Sequence, residues 1–295
     1  MSSRISVVEW NGDLKIASTI IPPIPREWVL IRVDKAFWGG LEEALRSGVY
    51  WPYKKPIVPG LSGSGTVVEL GVDSRREFSG EYVAPYVLES EIPGLTTDGY
   101  LAEYTSQPSR SLVAIPREEW APLTLYASIA CGSAERVGES TSIYVHGLGL
   151  YGVLTLLLLS SRGYRLYYST YKEKKVKRLL EDLGVDAQYV KLESTEPEVV
   201  IVSSLDTSDI RFTREGTRKI VITPIHEHLD VYPRSISRTV IEVSRGGDLG
   251  CTKKLLSSTW NVISKYIGVV EGLQVPPSEG VPLLGYLFMV GKARR

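Results

Sequence analysis

The sequence predicts an α/β protein of two domains, with a β-rich domain first and a doubly wound parallel sheet after it. Its 295 residues are long for one domain and comfortable for two, and 43% of them are hydrophobic, which is enough for buried cores. The first part of the chain reads as short strands between turn residues, whereas strands and helices alternate from Ser142 onward. A glycine-rich turn at 147–152 joins one of these strands to an apolar helix.

Short strands are expected throughout the first domain, which we place at residues 1–115. They are predicted at 28–33, 57–70 and 81–88, with one more opening at 98–104. Glycines interrupt the segment 57–70, so that strand must bend or lie close to another backbone.

The second domain is expected at residues 116–250, with 251–295 returning to the first. The predicted strands of the second domain are 142–146, 165–168, 198–202 and 219–223, and its helices are 118–137, 150–161 and 172–183. Strands separated by helices of this length predict a parallel sheet with helices on its faces. The returning segment is expected to hold a long helix at 252–268 and a strand at 284–290.

Charge and composition exclude several classes of partner. Lysine and arginine total 34, as do aspartate and glutamate, so nothing steers the chain toward nucleic acid or an anionic membrane. The N-terminus lacks a signal-peptide layout, and the longest apolar run is too short to cross a bilayer. Cys131 and Cys251 have no metal spacing and indicate no disulfide framework, which fits a reducing, cytoplasmic location. Few amides, Cys and Met favour a thermophilic source, although drift gives the same pattern.

A dinucleotide site is predicted at the glycine turn, which consists of Gly147, Leu148, Gly149, Leu150, Tyr151 and Gly152. In such a turn the first glycine allows the tight bend, and the second admits a pyrophosphate to the backbone. The third glycine lets helix and strand pack closely. The phosphates are then expected on the N–H groups of the helix N-terminus. The alternative is a glycine-rich turn that binds nothing.

The next strand indicates which dinucleotide is bound. NAD sites usually carry an acid about 20 residues on, where it accepts from the ribose 2′-hydroxyl. Here the strand ends in Ser169 and Thr170, no acid occurs at 162–172, and Lys172, Lys174 and Lys175 follow. Hydroxyls and cations suit a 2′-phosphate, which favours NADP over NAD. The lysines are equally compatible with a solvated helix face.

The order of these segments resembles the medium-chain dehydrogenase/reductase family, the zinc-type alcohol dehydrogenases. Five blocks match segments of that family in the same order along the chain. They are 29–33 followed by 46–50, then 56–60 followed by Ser64 and Gly65, then Gly99 and 102–104, and finally 112–116. The resemblance implies a GroES-like β-rich catalytic domain split around a Rossmann domain.

The chain departs from that family at its zinc ligands. The first two ligand positions fall on Gly39 and Leu61, and the hydroxyl that relays the alcohol proton falls on Leu41. Cys131 is the one possible counterpart of the third ligand, and it is otherwise a small buried hydrophobe. Catalytic zinc needs three protein ligands, so no zinc is expected. No cysteine lies between Tyr82 and Tyr104, so the four-cysteine structural zinc loop of the family is absent as well.

The resemblance implies Tyr50 as a candidate proton donor, because Gly48-Val49-Tyr50 matches a stretch of the zinc-free enoyl reductases. Tyr53 is a second candidate, and plain pocket lining is the alternative for both. His146 is interpreted as a neighbour of the cofactor rather than a base. His226-Glu227-His228 could suggest a metal pair on a strand, but a solvated loop is favoured.

Together these features predict a zinc-independent NAD(P)H-dependent oxidoreductase that transfers hydride to or from a small carbonyl, quinone or enone. The alternative is a non-catalytic dinucleotide-binding protein acting as a partner or sensor. A polar pocket around Tyr50 would favour the enzyme, whereas Phe37, Trp38 and Leu61 filling that pocket would favour the alternative. A homodimer is expected through the edge of the parallel sheet, near 239–244 and 284–290. A methyltransferase-like protein is disfavoured by the β-rich first third.

Overall fold

The computed structural model describes residues 4–207, 215–233 and 239–292, and the chain divides into two compact units. The first unit runs to Leu125 and resumes at Ile267, and the second spans Tyr126–Tyr266. Both limits lie later in the chain than the boundaries expected from the sequence. Among the described residues, no helix combines the length and apolar character that crossing a membrane requires.

The first unit is β-rich, as predicted. Strands β1 (Arg4–Trp10) and β2 (Leu14–Ile20) form an antiparallel pair. The other described strands form one sheet in the order β14-β15-β3-β4-β5-β7, with β6 also paired to β3. Their bounds are β3 Trp28–Trp38, β4 Ser62–Leu70, β5 Tyr82–Pro85, β6 Tyr104–Pro108, β7 Leu112–Ala114, β14 Ile267–Glu271 and β15 Gly285–Met289. The short helix α1 (Gly40–Arg46) follows β3.

Strand β4 begins later than the predicted 57–70, and glycine geometry explains the difference. At Gly60 the backbone has φ +108°, and a side chain would come within 2.9 Å of the Tyr100 and Leu101 nitrogens. The chain therefore turns before the sheet begins. Within β4, a side chain at Gly65 would lie 2.2 Å from the Arg32 carbonyl oxygen, which is the close backbone approach that the glycines indicated.

The second unit contains the predicted parallel sheet. Its order is β10-β9-β8-β11-β12-β13, and each adjacent pair is parallel. The strands are β8 Ser142–His146, β9 Arg165–Ser169, β10 Gln188–Tyr189, β11 Val199–Val202, β12 Lys219–Ile222 and β13 Val240–Val243. Numbered along the chain, this is the 3-2-1-4-5-6 order of a doubly wound dinucleotide-binding fold. Strand β11 is buried along its whole length, as a strand covered on both faces must be.

Helices accompany this sheet, and all but α5 overlap a helix predicted from the sequence. They are α2 Thr124–Arg136, α3 Leu150–Ser160, α4 Glu173–Asp182, α5 Pro224–Leu229 and α6 Leu249–Ile263. The prediction of one helix at 252–268 is wrong at its end. Helix α6 stops at Ile263, and residues from Ile267 form β14 beside β15. The β-branched pair Val269–Val270 favours the strand, although the apolar spacing continues that of the helix.

The prediction that 284–290 forms a sheet edge is also wrong. Strand β15 lies between β14 and β3 in the sheet of the first unit, so its backbone is paired on both sides. Beyond β12, the outermost described strand of the parallel sheet is β13, and it forms the edge there. Its Val240 and Ile241 are 55% and 41% exposed.

The two cysteines form a disulfide, which corrects the interpretation that they are unpaired. Cys131 in α2 and Cys251 in α6 are bonded across a sequence separation of 120 residues, with their Cα atoms 6.3 Å apart. The sulfur of Cys131 is therefore not a free thiol and is not available as a zinc ligand. Periodicity along the chain carries no information about a contact at this separation, so the pairing was not predictable from spacing.

Reduction of this disulfide should destabilise the second unit. We expect the Cys131→Ser/Cys251→Ser variant to lose about 2–5 kcal/mol of unfolding free energy, because the bond constrains a long loop in the unfolded chain. Denaturant unfolding of the variant and the unmodified protein, each with and without reductant, measures this. Equal stability of all four samples would contradict the bond.

Candidate functional site

The glycine turn has the geometry that a pyrophosphate site requires. It follows β8, and Gly147 has φ +80°, with a hypothetical side chain 2.4 Å from Ser204 Cβ. Gly149 is the N-cap of α3 in an extended conformation, and a Cβ built on it would have no atom within 4 Å. A Cβ on Gly152 would lie 2.4 Å from the Gly147 carbonyl oxygen. Two of the glycines are therefore needed for packing, and the middle one leaves open space.

The remaining residues of the turn can contribute only their backbone groups to a ligand. Leu148, Leu150 and Tyr151 are 5%, 3% and 7% exposed, and Tyr151 Oη lies 2.7 Å from Ser133 Oγ in the interior. The N–H groups of the first turn of α3 have no carbonyl partner within the helix, and they carry the positive end of its dipole. Together with the space at Gly149, they can cradle a pyrophosphate.

Side chains tie the ends of three parallel strands together beneath this turn. His146 Nδ1 lies 2.9 Å from Ser169 Oγ, and its Nε2 lies 2.7 Å from the Asp206 carbonyl oxygen. Ser203 Oγ donates to the carbonyl oxygens of His146 and Gly147. His146 is 3% exposed, so it acts as a structural link between strands beside the turn.

The residues predicted to select the dinucleotide lie next to the turn. The Gly147 N–H donates to the Ser169 carbonyl oxygen at 3.1 Å, which brings the end of β9 to the glycine turn. Ser169 and Thr170 are half-buried, Thr170 Oγ1 accepts from the Lys172 N–H at 3.3 Å, and Lys174 is exposed. A 2′-phosphate at this end of β9 would find hydroxyl groups from both half-buried residues.

The structure also brings an acid to this region from elsewhere in the chain. Asp206 follows β11, and its Oδ2 accepts a hydrogen bond from Tyr171 Oη at 2.8 Å. The sequence window 162–172 could not include it, because β11 neighbours β8 in space and not in sequence. This carboxylate opposes the preference for a phosphate that Ser169 and Lys174 would give.

A buried carboxylate occupies the region of the first two zinc-ligand positions. Glu42 is 1% exposed, and its oxygens accept the N–H groups of Gly39 at 2.9 Å and Leu61 at 2.6 Å. Burial raises the pKa of this carboxyl group. Sequence reasoning missed Glu42, although a glutamate three residues after a helix N-cap is a recognisable capping signal. Within the described ranges, no three His, Cys, Asp or Glu side chains group as a metal site requires.

The two candidate tyrosines differ in their surroundings. Tyr50 is 6% exposed, and burial together with the charge of Glu42 raises the pKa of its phenol. It follows Gly48, which has φ +73° and ends the turn after α1. Tyr53 is 67% exposed. Tyr50 is therefore a buried phenol and Tyr53 a solvent-exposed one.

His226 corrects the interpretation of 226–228 as a strand or solvated loop. Thr223 and Pro224 start the helix α5, with the His226 Nδ1 2.8 Å from Thr223 Oγ1 and its Nε2 3.2 Å from the Ser204 carbonyl oxygen. Thr before Pro is a helix-start signal that could have identified this helix. His226 is buried, which lowers its pKa to about 4, whereas His228 is exposed.

This buried histidine should make the protein less stable in acid. The folded-state pKa of His226 lies below the ordinary histidine value of 6.5, so the unfolded chain binds more protons between these two pH values. Stability from this group is complete above pH 6.5 and falls as the pH drops toward 4, by about 3 kcal/mol in all. Denaturant unfolding at pH 7, 5.5 and 4 should show a weaker acid dependence for His226→Asn than for the control His228→Asn. Equal pH dependence of the two variants would contradict the shifted pKa.

Comparison with known proteins identifies the first domain and the fold. The sequence-family model described as the alcohol dehydrogenase GroES-like domain matches residues 25–117. No curated protein sequence matches the chain. Many solved structures share the fold. The CAD from Helicobacter pylori, complexed with NADP(H), is 13% identical with a TM-score of 0.70, and the match covers 100% of both chains.

Two further structures are similar over nearly their whole length. A thermostable alcohol dehydrogenase from Pyrobaculum aerophilum, with cobalt and zinc bound, is 18% identical with a TM-score of 0.69, covering 97% of this chain and 100% of that one. A short chain alcohol dehydrogenase from E. coli CFT073, complexed with NADH, is 16% identical with a TM-score of 0.69, covering 97% and 99%. Residues 25–117 thus match the alcohol dehydrogenase GroES-like domain, and the chain as a whole shares its fold with these solved alcohol dehydrogenases.

Proposed function

We propose that the chain is an NAD(P)-dependent oxidoreductase that transfers hydride to or from a small carbonyl, quinone or enone without zinc. The observation that carries this proposal is the open space at Gly149, at the start of an apolar helix and between two glycines that packing requires. Gly149 has φ −79°, and a Cβ on it would meet no atom within 4 Å, so neither its backbone conformation nor packing requires glycine at this position. Solved relatives with this fold hold NADP(H) or NADH, which supports the same class of ligand here.

Different residues of this chain would then bind the cofactor and donate the proton. The backbone of the glycine turn binds the pyrophosphate, and the bound nicotinamide supplies the hydride chemistry. In the reducing direction, the Tyr50 hydroxyl would give its proton to the substrate oxygen or to a carbon of an enone, and the phenolate left behind would take up a proton from solvent. Burial raises the pKa of the Tyr50 phenol, so the phenol carries the proton to be donated but is a weaker acid than an exposed tyrosine.

The side chains at the ligand positions support the proposed independence from zinc. Gly39 and Leu61 have no ligating atom in their side chains, and the sulfur of Cys131 is bonded to Cys251. The proposal is tested by screening quinones, enones and aldehydes for NADPH oxidation in the presence of a chelator. Turnover of one of these substrates, unaltered by chelation, supports the proposal, and turnover that needs added zinc contradicts it.

NADPH should bind more tightly than NADH, because Ser169, Thr170 and Lys174 offer hydroxyl and ammonium groups near the end of β9. Ser169→Asp should reverse or remove the preference, whereas Asp206→Asn should strengthen it by removing a competing carboxylate. Cofactor-fluorescence titrations of the three proteins measure this. A tighter affinity of the unmodified protein for NADH would reject the assignment to NADP.

A non-catalytic dinucleotide-binding protein is the second candidate, and one observation favours it. Phe37, Trp38 and Leu61 are all buried, at 0%, 0% and 2% exposure, as expected if they fill the space of a former metal pocket. Binding of NADPH with no turnover of any substrate in the same screen would favour this candidate over the enzyme.

A homodimer is proposed through β13, whose backbone edge and exposed Val240 and Ile241 could pair with a second copy. A cytoplasmic location is also proposed. The disulfide is compatible with it in a thermophilic source, since intracellular proteins of hyperthermophiles carry disulfides.

A further inference from the structure

Glu42 connects two backbone segments of the first unit. Its Oε2 accepts the Gly39 N–H at 2.9 Å, and its Oε1 accepts the Leu61 N–H at 2.6 Å. These are the two positions at which the family resemblance places the first two zinc ligands. One buried side chain therefore joins the segments that a metal ion would join if those residues were ligands.

The carboxylate of Glu42 is costly to bury, which indicates more than a helix cap. Among the ion pairs of the described residues, none involves Glu42. The neighbouring Glu43, by contrast, pairs with Arg46 in a partly exposed setting. A buried carboxylate without a cation destabilises a fold unless its hydrogen bonds compensate. A capping glutamate at a solvated helix end would avoid that cost.

Helix α1 links this carboxylate to Tyr50. Glu42 lies in the first turn of the helix, and the Val49 N–H donates to the Ala44 carbonyl oxygen at 2.9 Å just beyond its end. The turn that carries Tyr50 is thus hydrogen-bonded to the helix that Glu42 anchors. The charge of Glu42 also lies near enough to the phenol to contribute to its raised pKa.

We propose that Glu42 is a positioning residue for Tyr50, which anchors α1 to the two ligand-position segments and so places the Tyr50 hydroxyl for proton donation. This inference rests on the proposed function of Tyr50 as the donor. It assigns to a carboxylate the part that side-chain ligands around zinc would otherwise play in holding these segments.

A double-mutant cycle separates positioning from general stabilisation. Glu42→Gln keeps the size of the side chain but leaves one of the two N–H groups without an acceptor. We expect kcat on the best substrate to fall about 10- to 100-fold with KM little changed, because small misplacements of a reacting group cost this much. In the Tyr50→Phe background the same change should have almost no further effect on kcat. Equal losses in both backgrounds would overturn the inference.

Glu103→Gln is the matched control, since its carboxylate also accepts a backbone N–H, that of Ser6, elsewhere in the first unit. We expect its kcat to equal that of the unmodified protein. If Glu42→Gln does not fold, Glu42→Asp, which keeps both acceptor atoms on a shorter side chain, is used in the same cycle with the same expectations.

A second experiment tests the same inference without requiring enzymatic activity. In protein labelled with 3-fluorotyrosine, the ¹⁹F resonance of Tyr50 is identified by its loss in Tyr50→Phe. It should shift in Glu42→Gln and stay in place in Glu103→Gln. An unmoved resonance in Glu42→Gln would overturn the positioning role, even if no substrate is turned over and the proposed function itself has failed.

Discussion

Replacing Gly149 with valine should abolish dinucleotide binding while leaving the fold intact. A Cβ at this position would meet no atom within 4 Å, and the extended backbone of Gly149 accommodates a branched side chain. The added methyl groups would fill the space that the pyrophosphate needs. We expect the affinity for NADPH to fall at least about 100-fold, the loss of several charge-assisted hydrogen bonds, with an unchanged melting temperature.

Two other glycines serve as controls for this variant. Gly216→Val places the same side chain in open space elsewhere in the second unit, where the nearest atom would be 3.9 Å from the new Cβ. It should change neither stability nor binding. Gly152→Val would place its Cβ 2.4 Å from the Gly147 carbonyl oxygen, so it should lower the melting temperature as well as the affinity. Full NADPH binding by Gly149→Val would show that the turn is not the site.

Replacing Tyr50 with phenylalanine should remove most of the activity and almost none of the stability. The ring is buried and keeps its packing, and only the hydroxyl is lost. Removing one donor that meets a developing negative charge typically costs about two to three orders of magnitude in rate. Steady-state kinetics, a thermal melt and an NADPH titration should show a loss confined to kcat. The exposed Tyr53 supplies the control, and Tyr53→Phe should remain active.

Unaltered activity of Tyr50→Phe would make the tyrosine part of the pocket wall and leave proton donation to water, a backbone N–H or the substrate. A fall in melting temperature equal to that of a core deletion would also count against a purely chemical role.

Local pattern predicted the parts of the structure that depend on neighbouring residues. The glycine turn, β8 and α3 are at their predicted places, because apolar periodicity and turn chemistry act over a few residues. The end of α6 was misplaced, because Ile263, Ile267 and Val270 continue a helical spacing although a strand begins at Ile267. Residues 267–271 form a strand because they pair with β15, and local propensity gives no information about that pairing.

The groups that the sequence could not indicate are those brought together by the fold. Cys131 and Cys251 meet across 120 residues, and Asp206 reaches Tyr171 from a different strand. Glu42 is a common residue in a helix start, and only its burial between Gly39 and Leu61 distinguishes it. The disulfide and the Asp206 contact depend on the packing of separate elements and carry no signal at fixed spacing, whereas Glu42 has a capping signal but nothing local that indicates its burial.

The most direct test of the account is a titration of the unmodified protein with NADPH and with NADH, followed by cofactor fluorescence. We expect saturable binding of one dinucleotide per chain, with NADPH the tighter ligand and binding lost in Gly149→Val. Absence of saturable binding for both dinucleotides would contradict the assignment of the glycine turn as a dinucleotide site, and with it the proposed oxidoreductase.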